Sequence, residues 1–139
     1  MAFAEWDPAL ETGNLMVDSQ HRDLFAAVNE LHDAISDHND VAVLGGILYR
    51  LQRYTAVHFG DEEGLMAEVA YPDLERHHRL HVDLADETSW LASKYLSGEL
   101  TLGITLATFL RDWLTDHVGE EDRRLAEHIR ATRPDLLSM

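Results

Sequence analysis

The chain has no cysteine. That absence removes disulfides, iron-sulfur clusters and thiolate zinc sites together, leaving histidine and carboxylate as the strong metal ligands. Positive charge is scarce too: 11 Lys+Arg stand against 26 Asp+Glu, a formal net charge of −15. Such a surface repels phosphate backbones and anionic lipid headgroups, which argues against nucleic acid or a membrane as partner. No apolar run approaches the ~18 residues that a membrane span needs, and the start of the chain lacks the basic-then-apolar pattern of an export signal. A soluble, cytoplasmic monomer is expected. Proline is rare, with three in 139 residues, and a chain of this length fits one domain around one core.

The periodicity is helical throughout, and an all-α, up-down-up-down four-helix bundle with an N-terminal extended arm is expected. Residues 1–17 carry Pro8 and Gly13 and little periodicity, so they read as the arm, with Phe3 and Trp6 as packing anchors. Asp18 is a candidate N-cap for a first helix over about 18–37, in which His21 precedes the stripe Leu24, Val28, Leu31 and Ile35. His32 and His38 fall off that stripe and are expected at the surface. Asp40 can cap a second helix over about 41–69, weakened near its start by Gly45-Gly46. Its stripe runs through Leu44, Leu48, Leu51, Tyr54 or Thr55, His58, Glu62, Leu65 and Val69. Tyr71-Pro72-Asp73 breaks the chain before a third helix over about 73–95, which Ser97-Gly98 ends. Thr101 can cap a fourth, over about 101–130, with Leu106, Leu110, Trp113 and His117 on one face; Pro134 closes the helical region.

The chemistry sits on the apolar stripes. His58 and Glu62 are four apart, as are His77 and His81, and residues four apart on a helix project from one face. His21 and His117 join from the first and fourth helices, and Asp122 follows His117 by five. Five imidazoles and two carboxylates buried without a cation would leave many polar groups unsatisfied. One ion cannot use seven protein ligands. Two ions bridged by both carboxylates can, with the imidazoles divided three and two, and the two-imidazole ion is then left with an open position. The spacing of five makes a separate demand: it amounts to about 500° on a regular helix, which would leave Asp122 some 140° from His117. A π-type widened turn between them is therefore expected, eased by Gly119.

These residues resemble the hemerythrins, most closely the single-domain bacterial members called bacteriohemerythrins. The resemblance runs from Trp6 to about Ile129 through Asp18-Ser19-Gln20-His21 with Leu24-Phe25, His58-Phe59 with Glu62-Glu63 and Met66, Tyr71-Pro72, His77 with His81, and Trp113 with His117 and Asp122. It implies a non-haem di-iron site with His77, His81 and His117 on one iron, His21 and His58 on the other, and Glu62, Asp122 and an oxo or hydroxo group as bridges. It further implies reversible O2 binding at the two-histidine iron, as an oxygen carrier or store, with an unidentified reductant or O2-consuming enzyme as a possible partner. His78, beside a ligand but off the spacing, is given no role. Gly119 departs from the pattern, because a bulkier side chain is expected there to shield the pocket.

Three other readings compete. A di-iron oxidase, peroxidase or nitric oxide reductase could use a similar bundle, but ferritin-like sites present four Glu and two His, and two carboxylates among five imidazoles donate less charge to oxidised intermediates. An iron- or O2-sensing module and a metal-free interaction bundle complete the set.

Overall fold

The structure, a computed structural model, describes residues 2–99 and 102–138. The helices are α1 (Leu15–Ser36), α2 (Val41–Glu68), α3 (Leu74–Leu96), α4 (Leu102–Asp116) and α5 (Arg123–Thr132). Between α4 and α5 the chain forms a π-helical turn, His117–Asp122, and the flanking Asp116 and Arg123 keep right-handed helical dihedrals. The last three elements therefore make one rod. Each long helix packs on two neighbours, α1 on α2 and α4, α3 on α2 and α4, which is the square of an up-down-up-down bundle. Among the described residues, no helix is long and apolar enough to cross a membrane.

The helix ends follow local chemistry. Asp40 caps α2 by accepting from the Val43 amide at 2.9 Å. Gly98, at φ +118°, takes the left-handed position that ends α3 after Ser97. Asp18 does not cap α1. The cap is Asn14, whose side chain accepts from Val17, and α1 begins at Leu15. Asp18 is buried one turn inside and accepts from the Thr12 amide and hydroxyl, both at 2.8 Å, and from the Gly13 amide at 3.0 Å. It ties the arm to the helix instead of starting it. Thr101, the expected cap of the fourth helix, lies outside the described residues.

The arm is less extended than expected, because Asp7 caps a short 3-10 turn at Pro8–Leu10. It is strapped to α1 by a pair of hydrogen bonds, Ala4 N to Asn29 Oδ1 at 2.6 Å and Asn29 Nδ2 to Ala4 O at 2.9 Å. Trp6 sets its edge against Phe25, with ring centroids 5.4 Å apart. Phe3 lies flat on His32 at 3.9 Å, so His32 is half-covered by the arm and not a free surface residue. In α2, Thr55 and not the exposed Tyr54 turns toward the core, and Gly45 and Gly46 face open space within an unbroken helix. Gly103 is different: a Cβ there would come within 2.9 Å of the Tyr95 ring and 3.2 Å of Ile35, so its bare backbone allows α4 to approach α1 and α3.

The core divides in two. A larger apolar cluster includes Phe25, Leu31, Leu48, Leu51, Phe59, Leu106 and Leu114. A smaller one joins Val17, Leu65, Met66, Val69, Tyr71, Leu125, Ile129 and Leu137. The layer of buried histidines and acids falls on the helices between these clusters, with apolar packing above and below it.

Candidate metal centre

Helical spacing brings the seven side chains together because every one sits on the stripe its helix turns inward. His21, Glu62, His77 and Asp122 are 0% exposed, His58 and His81 2%, and His117 6%. They form two overlapping groups of donor atoms, each spanning less than 4.8 Å: Glu62 with His77, His81 and His117, and Glu62 with His21, His58 and Asp122.

The two carboxylates are arranged alike. Glu62 turns Oε1 toward His77 Nε2 (3.0 Å) and His81 Nε2 (3.3 Å), and Oε2 toward His58 Nε2 (3.3 Å) and His21 Nε2 (3.5 Å). Asp122 turns Oδ1 toward His77 Nε2 (3.0 Å) and His117 Nε2 (3.3 Å), and Oδ2 toward His21 Nε2 (2.9 Å). Each acid thus presents one oxygen to a three-imidazole side and the other to a two-imidazole side. Asp122 reaches its place through the π turn: i to i+5 hydrogen bonding brings residues five apart into the register that residues four apart hold on an α-helix.

Residues outside this layer set the rings. Gln20 accepts at Oε1 from His58 Nδ1 (2.8 Å) while its amide nitrogen donates to Asp61 (2.8 Å). Asp61 can only accept, which fixes the amide orientation and makes His58 the Nδ1–H tautomer with its Nε2 lone pair directed inward. Glu63 does the same for His81 at 2.8 Å, and its other oxygen meets the exposed His78 at 2.6 Å. Phe59 stacks on His81 with centroids 3.7 Å apart, and Trp113 on His117 at 4.2 Å. No spacing rule could find Gln20 and Glu63, since their partners lie on other helices; their signal was to stand next to His21 and Glu62, inside the motifs that carry the family resemblance.

The electrostatics are those of compressed opposite charge. Burial opposes a charge on His21 and His77, but the Asp122 and Glu62 carboxylates close beside them outweigh it and push both up to about 9. Burial also opposes ionisation of Glu62, and contacts from His21, His58, His77 and His81 overcome it, holding the acid well below its ordinary range. For Asp122, burial and the Glu62 charge raise the pKa, and His117 and His21 bring it far below the usual carboxylate value.

A metal fits this donor set. The nitrogens of His21 and His77 and all four carboxylate oxygens are buried with no hydrogen-bond partner satisfying them, and His81 Nε2 faces His117 Nε2 at 3.2 Å. Acceptor atoms converging in this way call for cations, and an imidazole-carboxylate set suits iron, among other divalent ions.

Beside the layer is a small apolar pocket of about 20 Å³, walled by Leu24, Val28, Leu51, Phe59, Leu84, Leu110, Trp113 and Leu114, with Thr55 the one hydroxyl. That hydroxyl donates to Leu51 O at 2.8 Å. Leu114 is thereby placed at the pocket. Gly119 is not: a Cβ there would face Leu10 of the arm at 3.6 Å, so the arm occupies the space where a bulkier residue 119 was expected.

Fold and site together define a four-helix-bundle protein with a buried imidazole-carboxylate centre. The family model for the hemerythrin HHE cation binding domain matches residues 12–129, and the chain belongs to the hemerythrin family. It is similar to the bacteriohemerythrins of Stenotrophomonas maltophilia (31% identical, covering 94% of this chain and 84% of that one) and Methylococcus capsulatus (32%, covering 88% and 94%). It also resembles a crystal structure of wild-type hemerythrin, with a TM-score of 0.82 at 29% identity, covering 92% of this chain and 98% of that one.

Proposed function

We propose that this chain holds two irons and binds dioxygen reversibly. The observation that carries the reading is the shared orientation of Glu62 and Asp122, each with one oxygen on either side of the layer. Two acids aimed in this way suit two ions held side by side, with His77, His81 and His117 completing one and His21 and His58 the other. Irons bound there would supply the affinity for dioxygen, and the side with His21 and His58 offers one imidazole fewer than the side with His77, His81 and His117.

The rest of the chain keeps the exchange reversible. Gln20 and Glu63 hold the His58 and His81 rings in the tautomer that offers Nε2 inward. The Leu, Phe and Trp walls exclude water, and the one hydroxyl lining the pocket, that of Thr55, is bonded to the backbone, so a bound ligand is shielded from protonation and loss. The matching family model describes a cation binding domain, which supports a metal in this layer. The test is to load the protein with iron, reduce it anaerobically and titrate with O2. About one O2 per iron pair should be taken up and returned under argon over repeated cycles. Consumption of reductant at every exposure, with no reversible spectrum, would assign the site to the di-iron enzymes instead.

A further inference from the structure

A ligand must reach the pocket from outside, and the described residues form several other depressions; the one lined by Asp83, Asp86, Glu87 and Trp90 shares no side chain with the pocket. The groove between α1 and α2, lined by Gln20, Arg53 and Tyr54 among others, shares no side chain with the pocket. The hollow under the arm, around Trp6 and Arg111, shares none either. The crevice between α2 and α3 does, because Thr55 and Phe59 line both spaces.

This crevice holds about 90 Å³. Apart from Gln52 and Phe59 its walls are small side chains, Thr55, Ala56, Ala85, Thr88 and Ser89, so the two helices leave a gap where larger residues would close one. One hydrogen bond crosses the mouth, from Gln52 Nε2 to Ser89 Oγ at 3.2 Å. Further in, Thr88 is 6% exposed and its hydroxyl has no partner. A buried hydroxyl is normally satisfied, and the adjoining space is large enough for a water to do it. Phe59 then stands between crevice and pocket, with its ring flat on His81.

We propose that molecules of the size and low polarity of dioxygen enter through this α2–α3 crevice, beneath the Gln52–Ser89 hydrogen bond and past the Thr88 hydroxyl, with Phe59 as the inner door. The identity of the ligand rests on the dioxygen reading above; the route does not. Because the door is stacked on His81, each passage slides an aromatic ring across one of the imidazoles of the centre.

The test plugs the crevice at its exposed wall. Ala56→Phe and Ala85→Phe, in iron-loaded protein, should slow O2 association and dissociation together by at least fivefold in flow kinetics and leave the equilibrium affinity unchanged. Thr115→Phe, which narrows the hollow under the arm, should change neither rate. Xenon-pressurised crystals give a readout independent of O2 binding: xenon should occupy the crevice in the parent protein and be missing from it in Ala56→Phe. Unchanged rates in both α2–α3 variants, slowing in Thr115→Phe instead, or a crevice without xenon in the parent would each overturn the route. Should the iron-loaded protein bind no O2 at all, the carrier reading fails and the xenon result still decides the route.

Discussion

Glu62 and Asp122 meet the same two histidines from different helices. Both place an oxygen 3.0 Å from His77 Nε2, and both place their other oxygen near His21 Nε2, at 3.5 and 2.9 Å. The pair is therefore close to interchangeable about the centre, although one acid comes from a regular helix and the other from a π turn.

The first expectation follows from that symmetry. Glu62→Ala or Asp122→Ala removes a donor from both sides at once and should lower retained iron toward one ion or fewer per chain after dialysis. His78→Ala, which touches only Glu63, should retain close to two. Elemental analysis decides, and full loading of either acid variant would refute shared coordination.

Removing the metal should expose a pH dependence that the loaded protein lacks. In the metal-free chain His21 and His77 are raised to about 9 from an ordinary 6.5, so the stability they contribute is complete below about 6.5 and lost as pH rises through 9. Glu62 and Asp122 are lowered, so their contribution is present above the ordinary carboxylate range and lost as pH falls below it. The metal-free protein should melt highest near pH 5 to 6.5 and lose at least about 5 °C by pH 10. Iron-loaded protein should not show the alkaline loss, because an imidazole bound through Nε2 is already neutral and has no imidazolium proton to lose. Loading at pH 7.5 should release protons, measurable in weak buffer.

The π turn is testable by deletion. Removing Gly119 leaves His117 and Asp122 four residues apart, the spacing that a regular helix holds on one face, so the deletion should close the widened turn without turning α5 away from the smaller core cluster. Inserting an alanine after Gly119 instead sets the two residues six apart and rotates everything beyond by about 100°. The insertion should lower iron binding at least tenfold and the deletion much less, with helix content by circular dichroism held in both. Equal loss in the two variants would show that register is not what aims Asp122.

Shielding of the pocket gives the fourth prediction. Leu114→Ala opens a wall of the pocket and should shorten the lifetime of the oxygenated form about tenfold, at a cost of about 2 to 5 kcal/mol in stability. Leu10→Ala, which uncovers Gly119, should shorten it less. Gly119→Ile adds bulk against Leu10, so it should lengthen the lifetime only if the arm can move aside. Decay of the visible spectrum of oxygenated protein measures all three.

Much of this was legible in the chain itself. Apolar stripes of period 3.6 determined four helices and which face each turned inward, and because His21, His58, Glu62, His77, His81 and His117 stand on those stripes, their burial in one layer followed. Even the π turn could be reasoned out, since a spacing of five is incompatible with one face of a regular helix. Tertiary structure decided the rest, because those features depend on contacts between elements distant in sequence. Asp18 is a good cap by type, but it was drawn inward by Thr12 and Gly13, leaving the cap to Asn14. His32 was covered by Phe3, Gly103 was required by Tyr95 and Ile35 on other helices, and Leu10 filled the space at Gly119. Gln20 and Glu63 acquired roles only when folding brought His58 and His81 beside them. A periodic pattern reports which way a side chain points; only the packed bundle establishes what it meets there.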